Sequence, residues 1–147
     1  MPELVSFEAT QMGGIIDSVP MIARMQLIPG LFARLDDALD RANVFYAGPQ
    51  TALYRIHGEE MEVRVGVPLF RPIEGFEMFE APGGQGLCER VLGPLDDLPA
   101  TYRAITDEIN ARGMTRGVWA RETYRFIARD TAMNVTDVSI DITDRVH

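Results

Sequence analysis

The chain has 147 residues, a net charge of −8, 46% hydrophobic and 24% charged residues, and a single cysteine. Such a composition argues against disorder, and the length suits one ordinary domain or two small fused modules. The acidic balance disfavours unaided binding to a phosphate backbone, since positive charge rests on scattered Arg side chains.

Leu4 to Ala9 alternates weakly and reads as a strand, and Gly13-Gly14 reads as a turn. Ile15 to Met25 is a second extended run, in which Pro20 marks an edge or a bulge. Pro29 stands where a helix would begin, and Leu31, Phe32, Leu35, Leu39 and Ala42 follow at helical spacing. Thr51 to Ile56 and Glu60 to Val67 form a hairpin turning at His57-Gly58. Pro68 to Gly75 connects to a strand from Phe76 to Ala81, the turn Pro82-Gly83-Gly84 and a strand from Gln85 to Leu92. Gly93-Pro94 breaks that strand. Leu98, Tyr102, Ile105 and Ile109 form the stripe of a second helix that Gly113 closes, with Asp96-Asp97 at its start in a capping role. Val118 to Ile127 and Val135 to Ile142 are the last strands.

The order strand, strand, helix, strand, strand occurs twice. Phe7-Glu8-Ala9 returns as Phe79-Glu80-Ala81 at a shift of 72, and Pro29, Phe32, Leu35 and Leu39 return as Pro99, Tyr102, Ile105 and Ile109 at 70. Tyr54-Arg55 returns as Tyr124-Arg125 at 70, and Glu62 to Val65 returns as Asp137 to Ile140 at 75. Matches in one order at nearly constant offset indicate an internal duplication, with pseudo-repeats 1–70 and 75–145 inside a single 1–147 domain. The expected fold is α+β: a duplicated βαββ module, antiparallel strands around a central pocket and two amphipathic helices outside.

The chemistry concentrates on the run from Val118 to Ile127. Strand alternation puts Val118, Ala120, Glu122, Tyr124 and Phe126 on one face, with Trp119, Arg121, Thr123 and Arg125 on the other. Glu122 interrupts an apolar face, and its counterpart at an offset of 70 is Ala52. A carboxylate there pairs with an Arg or lies on an exposed end of the strand, forms the floor of an aromatic pocket for cationic or polar organic molecules, or serves as a general acid or base with a raised pKa. Tyr54, Tyr102, Tyr124 and Trp119 are the candidate pocket aromatics. No metal site is expected, because His57 lies in a hairpin turn and His147 ends the chain. No cofactor is expected either: Gly83-Gly84-Gln85-Gly86 precedes a strand and lacks the phosphate-binding context. Cys88 excludes an intrachain disulfide and reads as a small core residue. Met1-Pro2-Glu3-Leu4 shows no leader pattern, and the expected location is cytoplasmic.

Leu92-Gly93-Pro94-Leu95-Asp96-Asp97-Leu98-Pro99, then Tyr102, Ile105, Gly113 and Arg121-Glu122-Thr123-Tyr124, resembles the GyrI-like effector-binding domains of bacterial multidrug-responsive regulators. Ala52-Leu53-Tyr54 with Val63 to Pro68 matches that family's first hairpin. The resemblance implies that Glu122 and Tyr124 line a central pocket for cationic or polar aromatic ligands, with Tyr54 in the pseudo-symmetric place. No helix-turn-helix accompanies the module, so a standalone small-molecule-binding protein without direct DNA or membrane binding is expected. The resemblance also allows a hydrolase of cyclopropane-type compounds, with Glu122 as general base and a Tyr hydroxyl polarising a carbonyl. A third reading is contact with a protein such as gyrase through Asp36, Asp37, Asp40, Asp107 and Glu108.

Overall fold

A computed structural model describes residues 1–45 and 47–143; His147 lies outside the described residues. Eight antiparallel strands and two helices give an α+β fold. The chain forms two compact units, one of Thr10–Ala81 and one of Met1–Ala9 with Pro82–His147. The first strand, β1 (Glu3–Phe7), therefore belongs with the C-terminal half.

The Thr10–Ala81 unit contains β2 (Thr10–Pro20), α1 (Arg24–Arg41), β3 (Gln50–His57), β4 (Glu60–Pro68) and β5 (Glu77–Ala81), with strand order β3-β4-β2-β5. Three local expectations need correction here. Gly13-Gly14 lies inside β2 rather than in a turn. A Cβ on Gly14 would fall 1.9 Å from the Val65 carbonyl oxygen and 2.6 Å from Gly66 Cα, so glycine serves close strand approach. The extended run stops at Pro20, and a 3-10 turn at Met21–Ala23 leads into the helix. The helix begins at Arg24, with Pro29 inside it rather than at its start. Packing of Leu31 and Leu35 outweighs the one hydrogen bond that the Pro29 nitrogen cannot donate.

The other unit contains β1, β6 (Gly84–Leu92), α2 (Leu98–Ala111), β7 (Thr115–Phe126) and β8 (Val135–Thr143), with strand order β1-β6-β8-β7. The Asp97 carboxylate accepts the Ala100 N–H at 3.1 Å, the capping role its position implies. Gly113, at φ 66°, ends the last turn of the helix. Leu87, Val138 and Ile140 from the sheet pack with Ile105 and Ile109 of α2 in one buried cluster.

Directly opposed residues of an antiparallel ladder share a face. Ile140 opposes Leu87 on β6 and Ala120 on β7, while Val138 opposes Glu89 and Glu122. Ala120, Glu122 and Tyr124 thus stand on the face that α2 covers. Arg121 and Ser139 stand on the opposite, outer face.

The ladders also align the two units residue by residue. Phe79 opposes Met12 and Phe7 opposes Gly84, which makes β6 equivalent to β2 at a shift of 72. Ile15 opposes Val65 and Leu87 opposes Ile140, which returns the shift of 75 between β4 and β8. Val65 in turn opposes Ala52, and Val63 opposes Tyr54. By register, Ala120 therefore corresponds to Ala52, Arg121 to Leu53, and Glu122 to Tyr54 rather than to Ala52. Within β7 the pairing is itself irregular: five residues, from Arg116 to Ala120, run against three of β8, from Ile142 to Ile140.

Candidate functional site

Glu122 is 5% exposed, and its two carboxylate oxygens accept from different tyrosines. Tyr102 Oη donates to Oε2 at 2.6 Å, and Tyr124 Oη donates to Oε1 at 2.8 Å. Tyr102 comes from α2, whose hydrophobic stripe turns its ring onto the core cluster. Tyr124 comes from the same strand as Glu122, two residues along and on the same face. Both rings are half-buried.

Among the described residues no arginine forms an ion pair with Glu122. Desolvation by burial pushes its carboxyl above the ordinary value of 4.5, and the hydroxyls of Tyr102 and Tyr124 only partly offset that. Other half-buried acids are handled differently. Burial also raises Glu62, but the hydrogen bonds and charges of Arg64 and Arg55 hold it below the usual value. Asp137 is held low by Arg90, against the opposing effect of burial and with further help from Arg125. Each of these outer-face acids is gripped by two arginines. Among the described residues, the partners of the Glu122 carboxylate are neutral donors.

The structure brings together Tyr102, Glu122 and Tyr124 of the five predicted site residues. Trp119 is 8% exposed and lies within the irregular stretch of β7 between Arg116 and Ala120, where simple alternation does not apply. Tyr54 stands on β3 of the Thr10–Ala81 unit, opposite Val63. Cys88 is half-buried, and burial pushes its thiol up to about 11, with the Asp137 charge adding to the rise. It stands opposite Ser139 on the outer face rather than in the core cluster, so the expected core placement is not met, and the raised pKa disfavours a thiolate nucleophile. A shallow cavity of about 170 Å³ is lined by Leu39, Val44, Phe45, Ala47, Gly48, Gln50 and Val67, and none of these described residues carries a titratable side chain. Among the described residues no cluster of three metal-ligating side chains occurs, and no helix is long and apolar enough to cross a membrane.

One functional-looking group escapes pattern reading. Arg121 is 4% exposed on the outer face, directly behind Glu122. Its Nε and Nη2 donate to Asp141 Oδ1 and Oδ2, each at 2.7 Å. Nη2 also donates to the Pro82 carbonyl, and the guanidinium carbon lies 4.3 Å from the centre of the Phe7 ring. Its sequence signal was only that an Arg alternates with an unusual Glu. The partners come from distant parts of the chain.

No protein-family model and no curated protein sequence matches the chain. Solved structures do. SAV2435 bound to tetraphenylphosphonium is 11% identical, with a TM-score of 0.77 over 97% of this chain and 94% of that one. The EcmrR C-terminal domain is 18% identical, with a TM-score of 0.73 over 99% of this chain and 98% of that one. A hydrolase from Listeria innocua is 7% identical, with a TM-score of 0.59 over 97% and 91% of the two chains. At these identities the likeness is one of fold: the chain shares its α+β architecture with these three proteins.

Proposed function

We propose that this chain is a GyrI-like small-molecule-binding domain for cationic aromatic compounds, with Glu122 as the anionic partner of the ligand. The observation that carries the reading is a buried carboxylate whose partners are two tyrosine hydroxyls and no cation. Such a group is costly to ionise alone and gains most when a positive charge is supplied from outside. The half-buried rings of Tyr102 and Tyr124 add aromatic faces that attract organic cations. The fold shared with the tetraphenylphosphonium-bound SAV2435 supports the same reading.

The test is a fluorescence titration with tetraphenylphosphonium and with neutral triphenylphosphine oxide, for wild type and Glu122→Gln. Cation affinity should fall at least about tenfold in the variant, the scale of a 1.4 kcal/mol loss. Neutral-ligand affinity should hold. Equal loss of both ligands would sink the charge-selective reading.

A second reading is hydrolysis, supported by the raised Glu122 pKa and by the fold shared with a Listeria hydrolase. Glu122 would take a proton from water, and a Tyr hydroxyl would polarise the substrate carbonyl. In the free protein both hydroxyls donate to Glu122, so a substrate would have to draw one away. Mass analysis of recovered cyclopropane-containing ligands decides between the readings: unchanged mass excludes turnover, and a gain of water excludes simple binding.

A further inference from the structure

The buried ion pair behind Glu122 has no counterpart in the other unit. By ladder register Arg121 corresponds to Leu53, Asp141 to Gly66 and Phe7 to Phe79. Leu53 is fully buried, and a Cβ on Gly66 would fall 2.6 Å from the Gly13 carbonyl oxygen and 2.9 Å from the Phe79 ring, so that position is closed by close strand approach and an aromatic ring. The same fold position therefore closes without charge. An ion pair there is not explained by stability, because buried pairs often contribute no more than apolar residues of similar volume.

What distinguishes the Arg121 side is the strand it sits on. Pairing of β7 with β8 slips between Arg116 and Ala120 and again between Tyr124 and Phe126, so between the two slips the regular register spans only Ala120 to Tyr124. A slip of one residue in so short a ladder would turn Glu122 to the outer face and Arg121 toward α2. Arg121 opposes such a slip through three contacts at once. It reaches Asp141 on β8, the Pro82 carbonyl ahead of β6 and the Phe7 ring on β1, all from β7. The outer face is cleared for this stack. A Cβ on Gly86 would fall 3.0 Å from the Phe7 ring, and one on Gly117 would fall 3.0 Å from the Asp141 carbonyl oxygen.

We infer that Arg121 is a positioning residue: its fork onto Asp141, Pro82 and Phe7 locks the β7 register that delivers Glu122 to the hydroxyls of Tyr102 and Tyr124. The inference concerns the free protein and stands apart from what ligand it binds. The experiment is a carboxyl-carbon NMR titration of selectively labelled Glu in wild type and in Arg121→Leu/Asp141→Gly, which writes the other unit's residues into this position. The double variant is expected to unfold cooperatively like wild type, while the Glu122 midpoint falls toward the ordinary carboxylate range. A folded double variant with an unmoved Glu122 midpoint overturns the inference.

If the double variant does not fold, Arg121→Lys decides. An ammonium keeps the charge but cannot fork onto Asp141 while stacking on Phe7. Doubling of the Glu122 resonance, from two registers, supports the lock. A single wild-type-like resonance with the wild-type midpoint overturns it.

Discussion

Tyr102 Oη and Glu122 Oε2 meet at 2.6 Å, across 20 positions of sequence and from two different elements. The helix supplies the hydroxyl and the strand supplies the carboxylate. The corresponding places in the Thr10–Ala81 unit hold Phe32, by the helix offset, and Tyr54, by ladder register. Carboxylate and helix hydroxyl are thus both present in one unit and both missing from the other, as a functional pair would be.

Tyr102→Phe tests that pair with a shape that the other unit already accommodates in Phe32. The Glu122 carboxyl should rise further above its ordinary value, since one of the two interactions that lower it is gone. The stability cost should be about 1.5–3 kcal/mol where Glu122 is ionised and smaller where it is protonated. Urea unfolding on both sides of the NMR-determined midpoint measures the difference.

The pH dependence of stability follows from the sign of the Glu122 shift. Its folded-state pKa lies above the unfolded value, so its contribution is fully present below about pH 4.5 and is lost as pH rises through the folded midpoint. Glu122→Gln removes that dependence. The stability of the variant relative to wild type should climb from the ordinary carboxylate range upward. Equal pH profiles for the two proteins would exclude a raised Glu122 pKa.

Asp137 governs the acid limb with the opposite sign. Arg90 and Arg125 depress its pKa, so its contribution is present above its ordinary value of 3.8 and is lost as pH falls through the folded pKa. Asp137→Asn should flatten the decline in stability on the acid side below 3.8 and leave the Glu122-dependent limb unchanged. Thermal unfolding over a pH series extending to both sides of the ordinary carboxylate range reads both limbs.

Removing Arg121 alone differs from replacing the pair. Arg121→Met leaves Asp141 without its fork and should cost on the order of 3–5 kcal/mol, the usual penalty for breaking a buried pair from one side. Asp141→Gly in the same chain should recover part of that loss. Strict additivity of the two costs would show that the residues do not interact.

Two glycines give opposite expectations. Gly14→Ala places a methyl 1.9 Å from the Val65 carbonyl, and β2 would have to part from β4 at a cost of at least about 1–3 kcal/mol. Gly30→Ala, on α1 with nothing within 4 Å, should stabilise by roughly 0.5–1 kcal/mol through helix propensity. Denaturant midpoints of the single variants check both signs.

The sequence by itself determined the element types, their order and most of their bounds, because periodicity, caps and turn glycines are local signals. The Leu98–Ala111 helix with its Asp97 cap and the hairpin at Gly58 follow from such signals. It also singled out Glu122, because a lone carboxylate on an apolar face violates the pattern around it. Where local signals and packing compete, the structure decided. Gly13-Gly14 has the composition of a turn but serves close strand approach, and Pro29 sits within a helix held by Leu31 and Leu35. Only the tertiary structure placed Glu122 on the α2-covered face, gave it two tyrosine hydroxyls, and aligned it with Tyr54. Ladder register sets the partner of Glu122 two positions away from the sequence offset, and no composition signal announces that or the irregular β7–β8 pairing. The Arg121 stack likewise depends on strands from both ends of the chain meeting in one sheet, since Phe7 and Asp141 become neighbours of Arg121 only once that sheet has formed.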